Sequence, residues 1–176
     1  MHRDELARAI RDKAHLTGEF RLRSGGTSKE YFDKYQFEAD PSLLREIARQ
    51  LATLVPAETE VLAGLELGGV PIAVALALET GLPLAFVRKV AKSYGTCRFS
   101  EGIAVAGRRV LVVEDVVTGG GQVVASTEQL REVGAGVFSA LCVIDREAGG
   151  AEALRKIDLP LRALFTQSEL ARTLIN

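Results

Sequence analysis

The sequence predicts an α/β protein built on a mostly parallel sheet flanked by helices. Three observations carry that expectation. Short β-branched runs alternate with helical periods along the chain. One run, Val110-Leu111-Val112-Val113, is apolar at every position, as in a strand covered on both faces. It ends in Glu114-Asp115 and then passes through Val116, Val117 and Thr118-Gly119-Gly120-Gly121 into a helix. Acids and glycines therefore fall at the carboxyl end of a strand, where open α/β sheets place their ligands.

The elements follow in order. Asp4 to Ala14 has Leu6, Ala9 and Ile10 at helical spacing. Glu19 to Leu22 and Glu30 to Asp33 read as short strands around Ser24-Gly25-Gly26-Thr27. Asp40 caps a helix that opens on Pro41, the favoured first position. Leu43, Leu44, Ile47, Leu51 and Leu54 give that helix one apolar face. Val61 to Gly64 is a strand, and Pro71 to Thr80 a buried helix ended by Gly81. Leu84 to Val87 is a further strand. Lys89 to Ala106 has no period, and a loop of that length in a compact domain is usually functional. After the main motif, a helix from Gln122 to Val133 precedes a strand from Gly136 to Ile144 that ends in Asp145-Arg146. Leu161 to Leu164 and Ser168 to Leu174 supply a last strand and helix. The alternation gives a Rossmann-like layering.

Composition narrows the function classes. A chain of 176 residues suits one domain with a sizeable core. Hydrophobic residues make up 47% and charged residues 26%, ordinary for a globular protein. A net charge of −1 argues against bulk electrostatic binding to nucleic acid or to a membrane. Cys97 and Cys142 form neither a metal-type spacing nor a disulfide framework, so a reducing cytoplasm is expected. Met1 to Lys13 is charged throughout, unlike a signal peptide. The apolar region Val70 to Val87 is broken by Glu79 and Pro83, unlike a membrane span. There is no G-x-x-x-x-G-K-[ST] and no G-x-G-x-x-G after a strand, which disfavours a Walker-type NTPase and a dinucleotide enzyme. His2 and His15 stand in no nucleophile-base setting.

The strand–acid–glycine motif offers definite chemistry. Backbone N–H groups of Thr118 to Gly121 can surround an anion, and the following helix aims its N-terminal dipole at the same place. Glu114 and Asp115 are acceptors suited to sugar hydroxyls. A phosphorylated ribose fits this combination better than a free nucleoside triphosphate.

Four further segments accompany the motif. Gly18-Glu19-Phe20-Arg21-Leu22-Arg23-Ser24-Gly25 leads to Ser28-Lys29-Glu30-Tyr31-Phe32-Asp33. Gly64-Leu65-Glu66-Leu67-Gly68-Gly69-Val70-Pro71 joins a strand to a helix. Arg88-Lys89-Val90-Ala91-Lys92-Ser93-Tyr94-Gly95-Thr96 opens the long loop, and Val143-Ile144-Asp145-Arg146-Glu147 closes a late strand. In this order the chain resembles the orotate phosphoribosyltransferases, a branch of the type I phosphoribosyltransferases, from about Gly18 to Leu170.

The resemblance implies a phosphoribosyltransferase fold with a small N-terminal hood, about residues 1–40, on a core of residues 41–176 that binds phosphoribosyl pyrophosphate (PRPP). It implies that Glu114 and Asp115 accept the ribose hydroxyls, that Thr118 to Gln122 (Thr118, Gly119, Gly120, Gly121 and Gln122) hold the 5′-phosphate, and that Val116 and Val117 belong to the substrate-binding residues. Gly68 and Gly69 would meet pyrophosphate. Arg146 would bind the edge of orotate with parallel N–H bonds. Tyr31 and Phe32 would stand beside the pyrimidine, and Arg23 on the substrate side. Arg88, Lys89, Lys92 and Tyr94 would close over the pyrophosphate, often from the neighbouring subunit, with Lys92 as a candidate proton donor. Cations there stabilise a leaving group that gains charge. Mg²⁺ would ride on PRPP, and the active unit would be a homodimer with shared sites. Some members carry Lys at the position of Gly68, His at Tyr94, Lys at Arg23 and Asp at Glu114. A transferase for a purine or uracil, and a PRPP-sensing regulator without catalysis, remain the alternatives.

Overall fold

The computed structural model describes residues 1–21, 25–90 and 99–172. Seven helices and eight strands follow one another among them: α1 (Arg3–Ala14), β1 (His15–Arg21), β2 (Thr27–Phe32), α2 (Tyr35–Glu38), α3 (Pro41–Ala52), β3 (Val61–Leu65), α4 (Gly69–Thr80), β4 (Leu84–Val87), β5 (Ser100–Gly102), β6 (Arg109–Val117), α5 (Gly121–Glu132), β7 (Gly136–Asp145), α6 (Gly150–Arg155), β8 (Leu161–Thr166) and α7 (Gln167–Arg172).

Six strands form one sheet in the order β5-β4-β3-β6-β7-β8. Every neighbouring pair is parallel except β4 with β5. The expected mostly parallel sheet is therefore present. Its central strands are closed on both faces, which is why β3 and most of β6 are buried. Leu62, Leu111 and Val113 join Leu6, Ile10, Ile47, Leu51, Ile72 and Leu76 in one core cluster. Val61, Ala63, Val110 and Val112 face the other way, into a second cluster with Val123, Leu130 and Leu154. The alternation of a strand's side chains makes this split.

Sheet order locates the site. From β3 the chain moves outward to β4 and β5, then returns to lay β6 against the opposite side of β3 before continuing to β7 and β8. The crevice outside the carboxyl ends of β3 and β6 is thus the switch point, the usual ligand position in such sheets.

β1 and β2 form a separate antiparallel pair, joined to the body where the Asp33 N–H donates to the Ala14 carbonyl at 2.8 Å. Three short elements depart from the expected layout. The stretch Lys89 to Ala106 was expected to be loop throughout, but it holds β5, whose backbone pairs antiparallel with β4 at the sheet edge. α2 and α6 also lie where no element was expected. All three are too short to show a hydrophobic period. The helix expected over Ser168 to Leu174 is described as α7 as far as Arg172, and residues 173–174 lie outside the described residues.

Candidate active site

Two strand-to-helix junctions face each other across the switch point. The first runs from Leu65 through Glu66, Leu67 and Gly68 to α4, with a cis peptide between Glu66 and Leu67. The second runs from Val117 through Thr118, Gly119 and Gly120 to α5. Gly120 has a φ of 75°, a left-handed turn that a Cβ would strain. A Cβ there would also strike Leu154 of α6. α6 comes this close because Gly150 lies against the Thr118 carbonyl and the Val117 side chain. At Gly119 and Gly121 a Cβ would meet only open space. The loop therefore has a packed back and an open front, and α5 presents its N-terminal backbone to that front. The Gln122 amide is turned along the helix, donating to Ser126 Oγ at 3.0 Å.

Between the junctions lies a cleft of about 600 Å³. Glu114, Asp115, Val116 and Gln122 line one side, Glu66, Leu67, Arg88, Lys89 and Val90 another, and Lys34 and Tyr35 close it from the N-terminal part. The Asp115 side chain is fully buried and Glu114 nearly so. Asp115 Oδ1 accepts the Val116 N–H at 2.5 Å, and Oδ2 lies 2.5 Å from Lys34 Nζ. Glu114 Oε1 accepts the Asp115 N–H at 3.1 Å. Glu38, at the end of α2, is buried as well and acts on Asp115 although it does not line the cleft.

Three carboxyl groups and one ammonium share this ground, and they cannot all ionise alike. Burial, then the hydrogen bond and charge of Asp115, push Glu114 and Glu38 each up to about 9. Burial also opposes charge on Asp115, but donation from Glu114, Glu38 and Lys34 wins and holds it below its ordinary value. Burial lowers Lys34, but the hydrogen bond and charge of Asp115 outweigh it and raise it. Near neutral pH the cluster holds one carboxylate, Asp115, against one ammonium, Lys34.

The other expected residues fall in distinct places. A Cβ on Gly68 would collide with the Asp115 carboxylate, and one on Gly69 with the Val113 carbonyl oxygen. Arg88 and Lys89 leave β4 at the cleft mouth; the Arg88 N–H donates to Phe99 and the Lys89 N–H to Glu66 Oε2, at 3.0 and 2.9 Å. Arg88 Nε is buried and without a hydrogen-bond partner among the described residues. Arg146, at the end of β7, holds its guanidinium 5.8 Å from the Phe32 ring centre. Tyr31 is not brought to the same place: its ring stacks on Phe20 at 5.4 Å, because consecutive strand residues face opposite ways. Arg23, Lys92 and Tyr94 lie outside the described residues.

Sequence reasoning missed Lys34, Glu38, Glu66 and Leu67. Lys34 directly follows the Ser28–Asp33 segment already assigned to the substrate side, so a cation adjoining that segment was a usable signal. Glu38 gave none, because its burial depends on the single turn of α2 packing against α1 and α3.

Comparison with known proteins agrees with this geometry. Residues 35–159 match the phosphoribosyl transferase domain, and the chain belongs to the phosphoribosyltransferase family. Within that family it is similar to orotate phosphoribosyltransferases. It is 51% identical over 165 residues to the one from Nocardioides sp., covering 94% of this chain and 92% of the relative. It is 46% identical over 168 residues to that of Halobacterium salinarum, covering 95% of each. The fold superposes with a TM-score of 0.83 on a crystal structure of Mycobacterium tuberculosis orotate phosphoribosyltransferase in complex with PRPP, at 30% identity over 96% of this chain and 98% of that one. No helix among the described residues is long and apolar enough to cross a membrane.

Proposed function

We propose that the chain transfers the phosphoribosyl group of PRPP to orotate, giving orotidine 5′-monophosphate and pyrophosphate in pyrimidine biosynthesis. The observation that carries this reading is the β6–α5 junction, where a buried carboxylate adjoins an open-fronted glycine loop at a helix N-terminus. The loop takes the 5′-phosphate on backbone N–H groups. Glu114 and Asp115 take the ribose hydroxyls, and the ribose competes with Lys34 for Asp115. The base lies toward Arg146 and Phe32, where a guanidinium beside an aromatic face suits a flat anion.

The reaction is displacement at C1 with inversion, through a loose, cationic ribosyl transition state. The Asp115 charge favours that cation over the neutral ground state. Arg88 and Lys89, with Lys92 of the following segment, stabilise the departing pyrophosphate, and Lys92 is the candidate to protonate it. The family's habit of lending this segment to the neighbour makes a two-fold homodimer with shared sites the proposed active unit. The cytoplasm, where a protein without a disulfide framework is at home, is the proposed compartment.

Mg²⁺ is proposed to arrive on PRPP. The carboxylates of the cleft are engaged by Lys34 and by backbone N–H groups, so this donor set suits an ion held mainly by diphosphate oxygens and water. When bound it would offset charge on the leaving group.

The test is a substrate survey with purified protein, PRPP and Mg²⁺, reading pyrophosphate release with orotate, uracil, hypoxanthine and adenine. Orotate alone should support rapid release. Equal or better use of another base would assign a different acceptor, and PRPP binding without turnover on any base would point to a regulator.

A further inference from the structure

Glu38 lies outside the motif that defines the site and does not line the cleft, yet its carboxyl acts on the acid that the motif contributes. It is only 7% exposed. Its Oε1 is buried and has no hydrogen-bond partner among the described residues. Asp115 Oδ2, although ion-paired to Lys34, also lacks an aligned hydrogen-bond donor. These two unsatisfied acceptors belong to carboxyl groups close enough to act on one another. Two ionised carboxylates cannot hydrogen-bond to one another, because each offers only acceptors. One proton placed between them satisfies both atoms at once and removes the repulsion.

We propose that Glu38 is a positioning residue which keeps its proton through the working pH range and donates it to Asp115, fixing that carboxylate for ribose without adding a second negative charge. The single turn of α2 makes this possible. Lys34 at its start and Glu38 at its end grip the same carboxylate, one as a cation and the other as a neutral donor. Lys34 can be displaced by ribose hydroxyls; Glu38, which does not line the cleft, stays in place when the site fills. The charged groups acting on Glu38 are Lys34 from its own turn and Asp115 and Glu114 from β6. α1 and α3, which pack against α2, contribute buried Leu6, Ile10, Leu43 and Ile47, and their nearby charges Lys13 and Asp40 pair with each other at 3.1 Å.

The pH consequence has a definite sign. The proton is held up to about pH 9 in the fold but is lost near 4.5, the ordinary value, in the unfolded chain. The fold then binds more protons than the unfolded chain in that window, so stability falls as pH rises through it. Glu114 acts in the same direction.

The assignment rests on the transferase reading for its kinetic arm but not for its spectroscopic one. In the free enzyme, ¹³C NMR of glutamate-labelled protein should show a carboxyl resonance that stays protonated at neutral pH, titrates near pH 9, and is lost in Glu38→Gln. Kinetically, Glu38→Gln retains an N–H donor toward Asp115 and should keep kcat/KM for PRPP within about threefold, whereas Glu38→Ala should lose about 10- to 100-fold, the scale of one hydrogen bond to a charged group. The wild type should lose PRPP efficiency above about pH 9, where Glu38 ionises, and Glu38→Gln should be less sensitive. Urea unfolding between pH 6 and 9 should show a shallower decline for Glu38→Gln than for wild type. A Glu38 resonance titrating near 4.5, or a Gln variant as impaired as the Ala variant, would overturn the assignment. A wild type inactive with orotate and PRPP would instead remove the transferase reading, and the resonance would still decide the state of Glu38.

Discussion

The β3–α4 and β6–α5 junctions look alike in sequence, yet their glycines answer to different demands. Both follow central strands, both face the switch point, and both spend adjacent glycines on the turn into a helix. At β3–α4 the space is already filled. A Cβ on Gly69 would meet backbone of β6, and one on Gly68 would meet the Asp115 carboxylate. At β6–α5, Gly120 is needed by the protein, while Gly119 and Gly121 look onto nothing. Glycine in the first junction lets the protein pack against itself. Two of the three in the second leave room that the protein does not use. Space kept clear at a helix N-terminus beside a buried carboxylate is what a bound phosphate requires.

This contrast can be broken by substitution. The largest expected effect is on folding at the filled junction. Gly69→Ala forces a methyl group against the Val113 carbonyl, and backbone at the middle of a sheet yields little. It should cost about 3 kcal/mol, at the upper end of overpacking effects, in urea unfolding. A variant of wild-type stability would mean that the start of α4 can move off β6, and the distinction between the junctions would lose its basis.

A residue outside both junctions sharpens the comparison by separating base from phosphate. Arg146 is half-buried at the end of β7, beside Phe32 rather than beside the glycines. Arg146→Ala should raise the KM for orotate about 30-fold, or roughly 2 kcal/mol, the low end for losing a charged hydrogen-bonding partner. PRPP affinity and stability should change little. Equal losses for both substrates would place Arg146 on the phosphoribosyl side.

The second junction was far more legible in the sequence than the ground around it. β6 and α5 declare themselves because a run buried on both faces, two acids and a glycine turn occur together, each with a local cause. β3 and β7 are legible for a related reason, since strands covered on both faces are almost wholly apolar, and α4 because its buried run ends at Gly81. The hairpin was placed only approximately: the strands run His15–Arg21 and Thr27–Phe32, starting earlier than the expected Glu19 and Glu30. Its residues are largely exposed and give no alternation to mark the ends. α2 was invisible, being one turn long, and with it went Lys34 and Glu38. Their meeting with Asp115 is a tertiary contact between segments distant in sequence, and local pattern carries no record of it. Tyr31 and Phe32 show the reverse case, in which adjacency in sequence suggested a shared role that the pleat of β2 separates in space.

The central claim is that the open front of the β6–α5 loop is reserved for phosphate, and Gly121→Ala tests it most directly. Gly121 starts α5, and beyond its own helix backbone and chain neighbours a methyl group there would meet nothing within 4 Å among the described residues. Alanine at a helical position should leave stability unchanged or raise it by about 0.5–1 kcal/mol, because glycine is the poorer helix residue. Calorimetric titration with PRPP and Mg²⁺, run beside urea unfolding of the same preparations, should show affinity weakened tenfold or more, about 1.4 kcal/mol, in a protein at least as stable as wild type. Wild-type PRPP affinity in Gly121→Ala would contradict the claim.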